Sequence, residues 1–396
     1  MRILADKYDY LIVGAGPFGA AFARTAVDLG KTCLVVDRRH HLAGNTYTKN
    51  IEGIDVHMYG AHIFHTDNED IWEFVSNFAS WKPFKNNPRV RVGDRVFSFP
   101  VNLMTLHQLW GVSTPAEARA RLEQERVPCG NPDNAEQWLL SQVGRELYEL
   151  FFYGYTKKQW FKEPRDLPPA IVSRLPFRLT YNDSYFHTQH QAIPVGGYTG
   201  LFQRMLDGIP VELGVDFFGL ADRWRKYART LVFTGPIDRF FDYSCGRLEY
   251  RSLRFEFETH LGDFQGHAVF NYPDESVPYL RTIEHKHFVS AGPKHIGQRA
   301  EGKTIVSYDY PLAPEDSANI EDPQYPIRDE RNTDVYNRYA TRAKLTPDIM
   351  FGGRLGEYRY YDIDQALGSA IAKARRDVSA SDSRRELDQG GMREAK

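Results

Sequence analysis

The chain has 396 residues, which is too long for one small core and predicts two or three domains, or one domain with insertions. Its 50 lysines and arginines against 52 aspartates and glutamates give a formal net charge of −2, which argues against a nucleic-acid-binding protein and leaves any anionic ligand to a local cluster. The three cysteines form no C-x-x-C pair and no run is apolar enough to span a bilayer, so we expect a cytoplasmic protein without membrane contact, disulfide framework or zinc site.

The N-terminal segment carries the clearest local signal. YDYLIV at residues 8–13 is typical of a buried strand, GAGPFG follows at residues 14–19, a helix is predicted to end at Gly30, and TCLVVD predicts a strand ending at Asp37. The three glycines of this motif allow a tight turn, a close approach of the backbone to a pyrophosphate, and close packing of the helix on the sheet. Asp37 is placed to accept hydrogen bonds from a ribose hydroxyl. The sequence therefore predicts a dinucleotide site.

The segment after Asp37 favours FAD among the dinucleotides. RRHHLAGN brings basic residues and a Gly-Asn pair to the place where FAD-binding folds turn the chain back along the pyrophosphate. DVHMYGAHIFHT at residues 55–66 predicts a strand, and its Gly60 leaves room for His62 to lie against the flavin ring. The histidines of this stretch lack the helical spacing and nearby carboxylates of a metal site, so no metal is predicted.

The middle of the chain predicts a hairpin and then an inserted set of helices. RVRVGDRVFSFPV at residues 89–101 reads as the hairpin, and residues 115–160 follow a helical pattern. FFYGYTKKQW ends this region. Packing into the core explains any one of its aromatic residues, but together they suggest a platform for a flat base. The platform would consist of the aromatic residues Phe151, Phe152, Tyr155 and Trp160 together with Thr156.

From residue 165 onward the sequence predicts mainly strands, on which arginines alternate with tyrosines. In a chain without net positive charge this pattern indicates a phosphate clamp. GQRAEGKT at residues 297–304 matches a phosphate-binding loop by its letters, but it follows no strand and opens no helix, so we reject it. GRLGEYRYYD at residues 353–362 predicts a return of the chain to the cofactor, with Asp362 capping a helix.

Several blocks in this order resemble the prokaryotic UDP-galactopyranose mutases. They are GAGPFGAAFA, DRRHHLAGN, YGAHIFHT, FYGYTKKQW, SRLP, TGPID, EHKHF and GGRLGEYRYYD, and the resemblance covers residues 8–378. The chain departs from the family pattern at Ala43-Gly44-Asn45, where Gly-Gly-Asn is expected, and its 289–303 loop is longer than the family needs.

The resemblance and the patterns together predict an α/β fold: an FAD-binding Rossmann-like domain, an inserted helical domain and a mostly antiparallel β-sheet domain. The expected boundaries are residues 1–80, 193–245 and 345–378 for the FAD domain, 103–165 for the helices, 81–102, 166–192 and 246–344 for the sheet domain, and 379–396 for a disordered polar tail.

The resemblance implies an enzyme that interconverts UDP-galactopyranose and UDP-galactofuranose with reduced FAD. Flavin N5 would attack the anomeric carbon, UDP would leave, and the sugar ring would open through a flavin iminium and close again. Arg174 would sit on a mobile loop that closes over the substrate. The family also implies a homodimer and a role in cell-surface glycan synthesis.

Implied site residues fall into three groups. The catalytic residues would be Arg174, Arg281 and His62. Cofactor contacts would come from Gly14, Gly16, Phe18, Gly19, Asp37, Arg38, Gly44, Asn45, His62, Asp216, Thr234, Gly235, Arg354 and Asp362. Substrate contacts would come from Asn86, Phe151, Phe152, Tyr155, Thr156, Trp160, Arg174, Tyr185, Asn271, Arg281, Tyr310 and Tyr360. Two alternatives stay open: an FAD-dependent amine or sugar oxidase, and a nucleotide-sugar-binding flavoprotein without turnover.

Overall fold

The structure is a computed structural model that describes residues 7–288, 302–318 and 323–394. The strands, in chain order, are β1 (Tyr8–Val13), β2 (Cys33–Asp37), β3 (Thr48–Ile51), β4 (Ile54–His57), β5 (Phe64–Thr66), β6 (Trp81–Pro83), β7 (Arg89–Val92), β8 (Arg95–Ser98), β9 (His190–Pro194), β10 (Val211–Leu213), β11 (Ala228–Phe233), β12 (Tyr250–Arg251), β13 (Leu253–Leu261), β14 (Val269–Asn271), β15 (Arg281–Glu284), β16 (Lys303–Pro311), β17 (Tyr325–Pro326) and β18 (Ile349–Phe351).

The helices are α1 (Pro17–Asp28), α2 (Glu69–Ser76), α3 (Leu103–Trp110), α4 (Pro115–Glu125), α5 (Ala135–Leu147), α6 (Gly154–Trp160), α7 (Gly197–Met205), α8 (Ile237–Phe240), α9 (Pro314–Ala318), α10 (Glu330–Ala343), α11 (Gly353–Gly356) and α12 (Ile363–Glu394). A π-helical turn, Tyr148–Tyr153, joins α5 to α6. Within the described part of the chain, no helix is both long enough and apolar enough to cross a bilayer.

A five-stranded parallel sheet, in the order β10-β2-β1-β11-β18, forms the centre of the dinucleotide-binding region. The run YDYLIV is apolar apart from Asp9, because both faces of β1 are covered. On one face Ile12 packs with Phe22 of α1 and with residues of α7 and α12, and on the other Leu11 packs with Tyr339 of α10. The predicted Rossmann-like α/β fold is confirmed.

A six-stranded sheet, in the order β13-β16-β15-β14-β7-β8, stands beside it. Its neighbouring strands are antiparallel except for the parallel pair β14–β7, in agreement with the predicted mostly antiparallel sheet. In this sheet Arg281 of β15 pairs with Asn271 of β14 on one side and with Asp309 of β16 on the other.

A smaller sheet, in the order β5-β9-β6, contradicts two predicted domain boundaries. Its strands come from residues 64–66, 190–194 and 81–83. The boundaries near residues 80 and 192 would therefore cut through one hydrogen-bonded sheet. The short strands gave no pattern long enough to be paired from the sequence.

The helical region 103–160 shares one core with the hairpin β7–β8. Val90 and Phe97 of the hairpin pack with Leu106, Leu139 and Leu147 of the helices. The long helix that the pattern predicts here is interrupted at Gly144, whose φ of 81° is left-handed and whose added Cβ would lie 2.5 Å from the carbonyl oxygen of Glu125.

Two further expectations differ from the structure. The predicted strand 55–66 is divided into β4 and β5, because Gly60 with a φ of 88° turns the chain between them. Helix α12 is continuous to Glu394, so residues 379–394 of the predicted disordered tail continue a helix, and residues 395–396 lie outside the described residues. The rejected phosphate-loop match and the 289–303 loop fall mostly on residues 289–301, which lie outside the described residues.

Candidate active site

The glycines after β1 form a cradle, and their roles differ. Gly14 has a φ of 110°, and a Cβ there would lie 2.0 Å from Oγ1 of Thr234. A Cβ on Gly19 would lie 1.9 Å from the carbonyl oxygen of Gly14, so the protein's own packing requires both glycines. A Cβ on Gly16 would meet only the backbone of Gly44, with Cα at 3.6 Å and N at 3.8 Å. Gly16 thus leaves space that no protein atom uses, which fits a pyrophosphate held at the N-terminus of α1.

The cradle opens into a cleft that gathers residues from six separate parts of the sequence. Of the predicted cofactor residues, those lining it are Gly14, Gly16, Asp37, Arg38, Gly44, Asn45, Asp216, Thr234 and Gly235. Arg239 also lines the cleft, 3.6 Å from Asp216, and sequence analysis missed it. The Asp37 carboxylate accepts hydrogen bonds from the backbone N–H groups of Ala15, at 2.8 Å, and Arg39, at 2.9 Å, which fix its orientation.

Two details refine the cofactor prediction. Ala43, where the family pattern has glycine, adopts a left-handed φ of 73° with its methyl group buried, and Gly44 rather than Ala43 faces Gly16. The departure therefore leaves the cradle side of the loop unobstructed. Phe18 is buried beneath the turn at Gly352, where an added Cβ would lie 2.2 Å from its ring. Phe18 is not among the residues that line the cleft, and its ring packs against that turn.

Three histidines form a connected group next to Asn45, in which His57 and His285 are buried and His62 is partly buried. The backbone N–H of His57 donates to Nδ1 of His285 at 3.2 Å, and the N–H of His62 donates to Nδ1 of His57 at 3.1 Å. Nε2 of His62 lies 2.6 Å from the carbonyl oxygen of Asn45, to which it must donate. Burial lowers the pKa of His285 to about 3 and, with the charge of Arg354, the pKa of His62 to about 4. His62 is therefore neutral at pH 7.

Tyr360 is the centre of a cluster of arginines and tyrosines. The guanidinium carbons of Arg174 and Arg354 lie 4.9 and 5.2 Å from its ring centre, and the Tyr325 ring stacks on it at 5.4 Å. Burial alone would raise the pKa of Tyr360, but Arg174, Arg354 and Arg251 together hold it below its ordinary value. The cluster thus has a strongly positive potential.

Arg251 is the most informative residue that sequence analysis missed. Its side chain is buried, its Nε has no hydrogen-bond partner, and no ion pair is formed by it with any described residue. Its guanidinium lies against two rings, 4.6 Å from Tyr325 and 5.4 Å from Trp160. A buried guanidinium without a carboxylate is costly unless an anion binds it.

Arg281 is held by a second missed residue, Asp309. The two side chains form an ion pair, and Asp309 is completely buried. Burial opposes the charge on Arg281, yet Asp309 raises the pKa of Arg281 above its ordinary value. Tyr310, predicted to contact substrate, projects to the opposite face of the strand, where it contacts Arg254 and Tyr279. The predicted strand alternation was correct, but its functional face carries Asp309.

The remaining predicted substrate residues include two that belong to the helical core and two that lie near the arginine–tyrosine cluster. Phe151 and Phe152 are each 3% exposed and pack on Phe97 and Phe99, so they belong to the helical core. The pKa of Tyr155 and of Tyr185 is raised by burial and altered by the charges of Arg174 and Arg281, which places both tyrosines with the cluster.

Other residues connect these parts. The carbonyl oxygen of Asn86 accepts the N–H of Tyr185 at 2.6 Å. Trp160 Nε1 is buried and has no hydrogen-bond partner among the residues that the structure describes. Asp362, just before α12, lies 3.8 Å from Nε2 of His65. Thr156 is buried. The charge of Arg354 acts on both His62 and Tyr360, so the histidine group and the arginine–tyrosine cluster adjoin each other.

Known proteins resemble this chain in both fold and sequence. A family model described as UDP-galactopyranose mutase matches residues 150–360, and one described as an NAD(P)-binding Rossmann-like domain matches residues 12–78. A solved structure of reduced UDP-galactopyranose mutase superposes with a TM-score of 0.71 at 16% identity, covering 95% of this chain and 94% of that one. At this identity the superposition supports the fold alone.

Two curated relatives are similar over nearly their whole length. The probable UDP-galactopyranose mutase of Klebsiella pneumoniae is 39% identical over 93% of this chain and 94% of its own. The dTDP-fucopyranose mutase of Escherichia coli is 38% identical over 91% of this chain and 96% of its own. These matches confirm the resemblance read from the sequence, and the chain belongs to the UDP-galactopyranose mutase family.

Proposed function

We propose that this protein interconverts UDP-galactopyranose and UDP-galactofuranose with FAD as its cofactor, active in the reduced state. The observation that carries the proposal is Arg251, a buried guanidinium without a carboxylate partner among the described residues. Its charge acts on Tyr360 together with those of Arg174 and Arg354, and on Tyr155 together with that of Arg281. A nucleoside diphosphate supplies the missing negative charge. The cofactor would be held by the glycine cradle and the cleft, and when reduced it supplies the nucleophile for a reaction without net oxidation.

The arginines would bind and stabilise the diphosphate, first within the substrate and then as the leaving group. Charge on the diphosphate increases when the bond to the anomeric carbon breaks, so donors already in place stabilise the transition state more than the ground state. Tyr185 and Tyr360 add hydroxyl donors to the same oxygens. Arg174, whose exposed side chain lies 4.9 Å over the Tyr360 ring, would close over the bound substrate and exclude water.

His62 would act as a neutral group beside the cofactor. Its Nε2 proton is committed to the carbonyl oxygen of Asn45, which leaves Nδ1 as an acceptor. Tyr155, Thr156 and Trp160 on α6 would hold the base and sugar, with Asn86 and Asn271 nearby. Phe151 and Phe152 would support this helix from the core rather than contact the ligand.

A second candidate substrate is a dTDP-fucopyranose. The relative with that name is within one percentage point of the identity of the UDP-galactopyranose mutase relative. Both reactions exchange a pyranose for a furanose on a nucleoside diphosphate, and the arginine–tyrosine cluster recognises the part that the two substrates share.

The test is to incubate the purified protein with UDP-galactofuranose or dTDP-fucofuranose, with and without dithionite, and to separate the sugar nucleotides by chromatography. Conversion of UDP-galactofuranose only after reduction supports the proposal. If dTDP-fucofuranose is converted faster than UDP-galactofuranose, the second candidate substrate is favoured instead. Oxygen consumption with an amine or free sugar would favour an oxidase. UDP binding without conversion of either nucleotide would favour a binding protein. We also propose a homodimer in the cytoplasm, and light scattering tests the oligomeric state.

A further inference from the structure

Lys158 on α6 lies in a cage of backbone carbonyl oxygens. Its Nζ is 2.7 Å from the oxygen of Tyr272, 2.8 Å from that of Asp274, 2.9 Å from that of Val277 and 3.1 Å from that of Tyr279. An ammonium has three N–H donors, so the four carbonyls share them, and together their dipoles stabilise a positive charge. All four belong to the loop that connects β14 to β15.

A second contact shows how closely α6 approaches this loop. Gly154 is one helical turn before Lys158, and a Cβ there would lie 2.2 Å from the carbonyl oxygen of Pro273. Residues four apart share one face of a helix. The face of α6 that carries Gly154 and Lys158 therefore rests directly on the loop, with the lysine inserted among its carbonyls.

The loop in turn determines where Arg281 lies. At its two ends Asn271 and Arg281 pair across β14–β15, and the N–H of Tyr272 donates to the oxygen of Leu280 at 2.9 Å. The N–H of Leu280 donates to the oxygen of Asp309 at 2.8 Å. A shift of the loop would therefore move the strand end that presents Arg281.

We propose that Lys158 is a positioning residue that fixes α6, with its contacts to base and sugar, relative to the hairpin that presents Arg281 to the diphosphate. This inference rests on the proposed function, because it assigns both elements to one nucleotide ligand. The two parts of the ligand are joined covalently, so a change in the spacing of α6 and the hairpin weakens binding of the whole nucleotide.

The neighbouring Lys157 provides a matched control. Its Nζ pairs with the carboxylates of Glu163 at 3.1 Å and Glu275 at 3.0 Å, and all three side chains are about a third or more exposed. Exposed pairs of this kind contribute little. Burial lowers the pKa of Lys158 to about 8, so the ammonium form is present at neutral pH. The two lysines therefore differ in burial and acceptors but not in charge.

The experiment compares Lys158→Met with Lys157→Met in the flavin-loaded protein. We expect Lys158→Met to speed hydrogen exchange in the peptide 272–281 and to weaken UDP binding, measured by calorimetry, about tenfold. Lys157→Met should stay within about twofold on both measurements. In Lys158→Ala, added butylammonium should restore part of the lost UDP affinity, because it can occupy the carbonyl cage.

Two outcomes would overturn the inference. One is unchanged exchange and UDP affinity in Lys158→Met, and the other is faster exchange with unchanged affinity, which reduces the lysine to a structural role. If Lys158→Met does not fold, Lys158→Gln, which keeps two N–H donors, takes its place with the same criteria. Failure of the unaltered protein to bind UDP would count against the proposed function, and the exchange comparison and flavin content would then decide whether Lys158 fixes the loop.

Discussion

Arg281 and Asp309 form an ion pair in which the carboxylate is completely buried and the guanidinium is partly exposed. The partners are directly opposed on β15 and β16, so the sheet register brings them together. Asp309 neutralises Arg281 in the free protein and leaves the outer side of the guanidinium available to a ligand. The pair thereby makes a buried cation tolerable before any anion is bound.

Replacing Asp309 by Asn should destabilise the free protein by about 3 kcal/mol, because it leaves the Arg281 charge without its counterion. UDP supplies negative charge at the same place, so the deficit should be smaller in its presence. Urea unfolding with and without UDP measures both effects. Glu256→Gln is the control, since Glu256 pairs with Arg254 on the exposed side of the same sheet. Equal losses with and without UDP would show that the ligand does not reach Arg281.

Arg251→Met should give the opposite balance between stability and binding. The change removes a buried charge without a carboxylate partner and keeps the apolar stem, so the unfolding free energy should rise or change by less than about 1 kcal/mol. UDP affinity should fall about 100-fold. Arg247→Met is the control, because Arg247 stacks on Tyr243 at an exposed site. A large loss of stability in Arg251→Met would mean that its ring contacts outweigh the burial of its charge.

Gly16→Ala should separate cofactor binding from folding. The added methyl group meets only the backbone of Gly44, at ordinary contact distances, so stability should change by less than about 1 kcal/mol. Bound flavin, read from the ratio of the flavin absorbance to the protein absorbance, should fall sharply. Gly14→Ala should instead cost more than about 2 kcal/mol, because its φ of 110° and the close contact with Thr234 strain the backbone itself. Normal flavin content in Gly16→Ala would contradict the placement of the pyrophosphate.

Stability should fall between pH 6.5 and pH 4 because of the buried histidines. Burial lowers the pKa of His285 to about 3, so over this interval the unfolded chain binds a proton at this residue that the folded chain does not. Each such histidine contributes a slope of about 1.4 kcal/mol per pH unit. His285→Gln should reduce the pH dependence of the unfolding free energy by about 1.4 kcal/mol per pH unit, which corresponds to one proton. A slope equal to that of the unaltered protein would show that His285 is protonated in the fold.

The sequence was sufficient to predict those elements whose structure is determined by residues close together in the chain. The strand, glycine turn, helix and strand at residues 8–37 were predicted within a few residues, because turn chemistry and burial on both faces leave direct patterns. The hairpin of β7 and β8, with its turn at Gly93 and Asp94, was readable for the same reason.

Residues that depend on distant contacts could not be identified in this way. Arg251 stands in a two-residue strand, and its burial results from Tyr325 and Trp160, which are far away in the sequence. Asp309 was hidden between two tyrosines, and only the pairing of β15 with β16 shows that it, rather than Tyr310, shares a face with Arg281. In both cases strand pairing determines which residues surround the charged side chain, and the sequence alone does not specify that pairing.

The contact of Phe18 with Gly352 and Gly353 has a consequence for biosynthesis. These glycines pack on Phe18 of α1, and α12 packs along α1. Part of the surface of α1 is therefore buried only by residues after 351. Contacts of such sequence separation form late. During translation the part of α1 that α12 covers therefore stays exposed until residues beyond 353 have left the ribosome.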